Sequence, residues 1–142
     1  MTKEELKIWE AQVESVQQAN NILLEEFRQR LVADKLSPKT ITSHTENMRF
    51  FVNDFLLYND IIMPQDGCEH ISMFIGDFFL RKALWASPDS VKKYISSFKK
   101  FYTFMVETGR TTVSQLEAMK LTIKEEKEEW IEAAGGNDGD YY

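Results

Sequence analysis

Two positions in this chain dictate where helices begin. Ser37-Pro38 and Ser87-Pro88, fifty residues apart, each place a hydroxyl residue before a proline. A serine oxygen accepts a hydrogen bond from an orphan N–H of the first turn. Proline, with its φ fixed and no N–H to satisfy, suits the first helical position. The match extends beyond the caps. Ser37-Pro38-Lys39-Thr40-Ile41 parallels Ser87-Pro88-Asp89-Ser90-Val91, then Thr45 parallels Ile95, Met48 parallels Phe98 and Phe51 parallels Phe101. Both segments carry apolar residues at helical spacing. Each is also preceded by another amphipathic segment, so the chain reads as two helical hairpins, which enclose one core if they pack across each other.

The rest of the chain fits this frame. Thr2 caps a first helix with Glu4 and Glu5 near its positive end. Leu6, Trp9, Val13, Val16, Leu23 and Phe27 then follow at heptad-like spacing if Asn20 is a polar seam residue. A break at Asn20-Asn21 is the open alternative. Leu24, Phe27 and Leu31 form an inner face, and residues 59–67, with Pro64 and Asp66-Gly67, read as a loop. Gly109 stands where a helix ends, and Thr111-Thr112 restarts another carrying Val113, Leu116, Met119, Ile123, Trp130 and Ile131. No segment alternates like a strand. The spacing predicts core helices near 22–34, 38–58, 69–84 and 88–108, flanked by a helix at each end. Phe51, Phe55, Phe74, Phe78, Phe98 and Phe101 are the expected core. The expected divisions are 1–19 (flanking helix), 20–110 (core), 111–134 (acidic helix) and 135–142 (disordered tail).

Composition permits this. With 142 residues, 43% of them hydrophobic and ten Phe, one domain with a real core is affordable. No apolar run approaches the length of a membrane span. Cys68 is alone, so no intramolecular disulfide forms, and the first residues carry no secretory pattern. A cytoplasmic protein is expected. The net charge of −6 argues against nucleic acid until its distribution is considered. Residues 1–36 carry five basic and seven acidic side chains, residues 37–111 nine and eight, and residues 112–142 three and eight. The acidity is mainly C-terminal.

The order of caps and aromatics resembles a known family. Leu24-Glu25-Glu26-Phe27 leads into Leu36-Ser37-Pro38-Lys39-Thr40 and on to Met48-Arg49-Phe50-Phe51-Val52-Asn53-Asp54-Phe55-Leu56. Then come Ile71-Ser72-Met73-Phe74-Ile75, Ser87-Pro88-Asp89-Ser90-Val91, and Phe98-Lys99-Lys100-Phe101 through Gly109. Over about residues 20–110 this is similar to the N-terminal core-binding domain of tyrosine recombinases and phage integrases. The resemblance implies an all-α, SAM-like four-helix core of two crossed hairpins that clamps duplex DNA chiefly through the two capped helices. In that family the catalytic residues lie in a separate C-terminal domain, so the expected chain is not an enzyme.

The residues themselves agree with a non-catalytic reading. His44 and His70 stand in no metal-ligand spacing, and adjacent Glu69 and His70 point apart on a helix. Gly135-Gly136 lies in an acidic tail that would repel phosphate. Cys68 has no partner, and Tyr141 and Tyr142 lack an Arg/His cluster. No cofactor or metal is expected. The expected DNA contacts are Lys92, Lys93, Lys99 and Lys100, with Ser96, Ser97 and Thr103 as short donors along the same helix. Lys39, His44 and Arg49 offer a weaker stripe, interrupted by Glu46, and Arg81 and Lys82 suit a helix C-terminus. Glu125, Glu126, Glu128, Glu129 and Glu132 either stay in water or cover the lysines. Duplex DNA, contacted through its backbone, is the expected partner. The second reading is a helical protein–protein interaction domain, in which the N-terminal helix around an exposed Trp9 meets a recombinase or a second copy.

Overall fold

Apolar residues at helical spacing, bracketed by hydroxyl caps, leave the backbone one economical way to satisfy its polar groups. The computed structural model describes residues 1–136. Every regular element among them is helical. The chain divides into two compact units, Met1–Pro64 and the remainder from Gln65 onward. The division falls within the expected 59–67 loop, inside the segment 20–110.

The first unit is a helical hairpin. Helix α1 spans Lys3–Ala33, with the Thr2 hydroxyl accepting from the Glu5 amide. It is one unbroken helix, so the expected flanking helix and the helix at 22–34 are continuous, and no break occurs at Asn20-Asn21. The reason lies in Asn20, which is buried and donates to the Val52 carbonyl (3.3 Å) and to Asn53 Oδ1 (3.0 Å). Its amide thus points across the hairpin and does not cap a new helix. At the other end α1 closes through a Schellman motif. The Leu36 amide donates to the Leu31 carbonyl and the Lys35 amide to the Val32 carbonyl, with Lys35 at φ 63°.

Helix α2 (Pro38–Arg49) begins as expected, with the Ser37 oxygen accepting from the Thr40 amide. It continues as a π-helical turn at Phe50–Phe55, closed by the Leu56 amide on the Phe51 carbonyl. The helix expected to reach 58 therefore changes pitch at 50 and ends at 55. Leu24, Phe27, Leu31, Met48, Phe51 and Val52 are buried, whereas Phe55 is only half-buried and stacks on Phe51 at 5.7 Å.

In the second unit the segment expected as one helix at 69–84 has four parts. A 3-10 helix at Pro64–His70 comes first, followed by α3 (Ile71–Met73), a π turn (Phe74–Phe78) and α4 (Phe79–Lys82). The π turn brings Phe74 against both Phe78 (6.1 Å) and Phe79 (5.6 Å). Closing i to i+5 lets neighbouring aromatics face the same side. Helix α5 (Pro88–Glu107) follows, then α6 (Val113–Ile131) and a π turn at Glu132–Gly136. Tyr94 and Phe98 of α5 pack on Phe74 at 5.2 and 5.9 Å. Phe74, Phe78, Phe98 and Phe101 are all buried. Gly109 takes φ 75° and closes α5 through a second Schellman motif, Arg110 to Met105 and Gly109 to Val106. Trp130 anchors the end of α6 over Gly76, where a β-carbon would come within 3.3 Å of the indole nitrogen. The expected tail falls largely outside the described residues, as do Tyr141 and Tyr142.

Candidate nucleic-acid interface

Helix α5 is fixed in rotation by its core face and in register by its cap. Ser87 and Ser90 form a reciprocal capping box, each accepting the other's backbone N–H. Val91, Ile95, Phe98, Tyr102 and Met105 are buried. The opposite face therefore has to lie in water, and it carries the cations. Lys92, Lys93, Ser96, Lys99, Lys100 and Thr103 are all exposed. At 1.5 Å per residue they form a row of about 16 Å. Lys93 pairs with Asp89 at 3.1 Å. Among the described residues Lys92, Lys99 and Lys100 form no ion pair. Asp89 and Glu107, one near each end of the helix, are the acidic residues on this face.

Other expected contributors stand elsewhere. Ser97 is fully buried, because it lies too far round the helix from Ser96 to share the open face. Lys39, His44 and Arg49 do not form a stripe. A five-residue step turns a helix by about 140°, so residues so spaced lie on different sides. Lys39 is exposed, His44 is buried, and Arg49 is half-buried, donating to Asn21 Oδ1 at 2.8 Å and meeting Glu46 at 3.4 Å. Arg81 is paired at 2.9 Å with Asp77 of the preceding π turn, and that pairing holds the Asp77 carboxyl below its usual range.

The glutamates of α6 do not cover the row. Glu125, Glu128, Glu129 and Glu132 are exposed while the α5 lysines remain exposed too. Glu126 turns instead toward α3 and accepts from Ser72 Oγ at 2.5 Å. Leu116, Met119, Ile123 and Trp130 form the buried face of α6.

The groups with chemical potential meet in a cavity of about 300 Å³ lined in part by Cys68, Glu69, Ser72, Met119 and Glu126. Burial, with Glu69 beside it, pushes the Cys68 thiol up to about 11, so it is protonated at neutral pH. Ser72 faces a carboxylate, and no histidine lines the cavity. The Cys68 thiol is therefore not activated as a nucleophile at neutral pH. Among the described residues no group of three or more His, Cys, Asp or Glu is placed to hold a metal ion. No described helix is long and apolar enough to cross a membrane. Trp9, expected in solvent, is half-buried, whereas Leu6 and Ile8 of α1 are exposed.

Sequence reasoning missed one surface feature, the turn at Leu84-Trp85 between α4 and α5. Its signal was an apolar pair in a connection, with no Gly, Asn or Asp beside it. Comparison with protein-family models, with curated proteins and with solved structures gives no match for this chain.

Proposed function

We propose that this chain is a non-catalytic DNA-binding module that grips the phosphate backbone through the α5 lysine row. The observation that carries the reading is the row itself. Four lysines and two hydroxyl residues share the open face of one rigid, doubly capped helix, three of the lysines free of ion pairs among the described residues. An ammonium is a point charge that meets phosphate without reading bases, and Ser96 and Thr103 add short hydrogen bonds along the same strand. Binding is expected to be weak and largely sequence-independent, with Kd of about 10⁻⁴–10⁻⁶ M at physiological salt.

The likeness to recombinase core-binding domains belongs to the same proposal. It carries a SAM-like arrangement of two crossed hairpins, a recombination or integration context, a cytoplasmic setting and chemistry supplied by another domain or partner. Lys39 and Arg49 are secondary contacts in this reading. Fluorescence anisotropy of a labelled duplex at low salt tests it. Wild type is expected to bind, with Lys99→Gln/Lys100→Gln much weaker and unchanged in its melting. Absence of binding at low salt, where electrostatic attraction is strongest, contradicts the reading.

The second reading, an interaction domain, draws on the N-terminal half of α1. Leu6 and Ile8 are exposed there, and no residue before Asn20 is fully buried. It would take over if DNA binding were absent and sedimentation showed self-association lost in Leu6→Glu.

A further inference from the structure

The connection between α4 and α5 presents apolar side chains where turns ordinarily present polar ones. The Ala86 amide donates to the Ala83 carbonyl at 3.2 Å, which makes Leu84 and Trp85 the two central residues of a β-turn. Gly, Asn, Asp, Ser and Pro dominate such positions. Here Leu84 is fully exposed and Trp85 is 57% exposed. Both ends of the turn are fixed. Ala83 is buried at the end of α4, and the Ser87–Ser90 capping box follows at the start of α5. The indole rests edge-on against Phe79 at 6.3 Å, and Phe79 is itself buried against Tyr94 at 4.7 Å. The tip is therefore a positioned projection, with the indole held in place by its edge-on contact to Phe79.

Its neighbourhood decides what it meets. The turn leads directly into α5, and Lys92, the first lysine of the row, follows Trp85 by seven residues. Two side chains are too few to anchor a stable protein interface of roughly 800 Å² per partner. They are enough to engage a base, since every base has a π face and stacking on an aromatic ring tolerates any sequence. A small apolar side chain beside the ring acts as a wedge at a base step. In an intact duplex the bases are already stacked, and the tip would have to open a step first. Unpaired bases carry no such cost.

Resting on the DNA-binding reading above, we propose that Leu84 and Trp85 form a base-stacking tip at the end of the lysine row, and that the preferred DNA carries unpaired bases there. The lysines hold the backbone and the tip selects the distorted site.

The test compares a labelled duplex with the same duplex carrying a short bulge of unpaired thymines. Wild type, Trp85→Ala, Trp85→Phe and Leu84→Ser are each titrated at two salt concentrations. Wild type is expected to favour the bulged DNA, with tryptophan emission quenched on binding it. Trp85→Ala is expected to lose about 5- to 100-fold in affinity for the bulged DNA. Its duplex affinity and salt slope should be unchanged. Trp85→Phe is expected to keep most of the preference, because a phenyl ring still stacks, and to lose the quenching. Leu84→Ser should weaken the preference less than Trp85→Ala. Equal binding of the two DNAs by wild type, with the salt slope intact, overturns the tip and leaves the lysine row standing. No binding to either DNA overturns both. A blue shift of tryptophan emission with vesicles containing phosphatidylserine, with no change on DNA, would assign the tip to a lipid surface and also overturn the proposal.

Discussion

Lys35 sits at φ 63°, a left-handed conformation that suits glycine and strains any residue with a β-carbon. The Schellman closure of α1 demands it, since the next amide must reach back to Leu31. Lys35→Gly is therefore expected to stabilise the protein by about 0.5–1 kcal/mol, read as a higher urea midpoint with unchanged slope. A lower midpoint would show that the strain is not there. Cys68 and Tyr102 give the residue scale its pH dependence. Burial, followed by Glu69, raises the thiol from its ordinary 9.0 to about 11, and burial raises the Tyr102 phenol well above 10.0. A folded-state value above the unfolded one favours folding below the unfolded value and loses that advantage as pH climbs toward the folded value. Stability is thus expected to fall between about pH 9 and 11, and thermal melts across that window check it. At pH 8 the native thiol is expected to react with a disulfide reagent far more slowly than in denaturant.

Elements were legible where a local chemical signal specifies them. Thr2, Ser37, Ser87 and Thr112 each accept from the N–H three residues on, and Gly109 takes the left-handed value its position implied. The echo between the capped helices extends to burial, because Ile41, Thr45, Met48 and Phe51 are buried as are Val91, Ile95, Phe98 and Phe101. What stayed hidden depends on tertiary partners. Runs such as Phe50-Phe51 and Phe78-Phe79 are apolar at consecutive positions, so spacing alone does not reveal a π turn. Asn20 reads equally as a cap or a seam until its bonds to Val52 and Asn53 are visible. Of the expected site, the α5 positions facing water were readable from the period of that helix, while Ser97, His44 and Arg49 needed the structure. Asn20→Ala removes two donations from a buried amide and is expected to cost about 1–3 kcal/mol. Phe98→Ala, inside the aromatic cluster of the second unit, is expected to cost about 3–5 kcal/mol. Urea denaturation measures both, and a near-neutral Asn20→Ala would mean that the carbonyl of Val52 finds another donor at no cost.

Across the whole molecule a net charge of −6 coexists with an open cationic row, because most of the negative charge lies outside α5. Long-range repulsion of DNA and local attraction thus act on different length scales, and salt screens the former within about 10 Å at 0.1 M. The proposed module binds without chemistry. Incubation with duplex DNA followed by denaturing electrophoresis is expected to give no covalent adduct, and a tyrosine-linked band would refute the non-catalytic reading. The most direct test of the central claim is the salt dependence of duplex affinity. Four lysine–phosphate contacts predict a log K against log salt slope of about −3.6. Replacing Lys99 and Lys100 with glutamine should flatten the slope by nearly two units, while the same change at Lys3 and Lys7 should leave it unaltered. A slope that is the same in wild type and the Lys99/Lys100 variant would contradict the account.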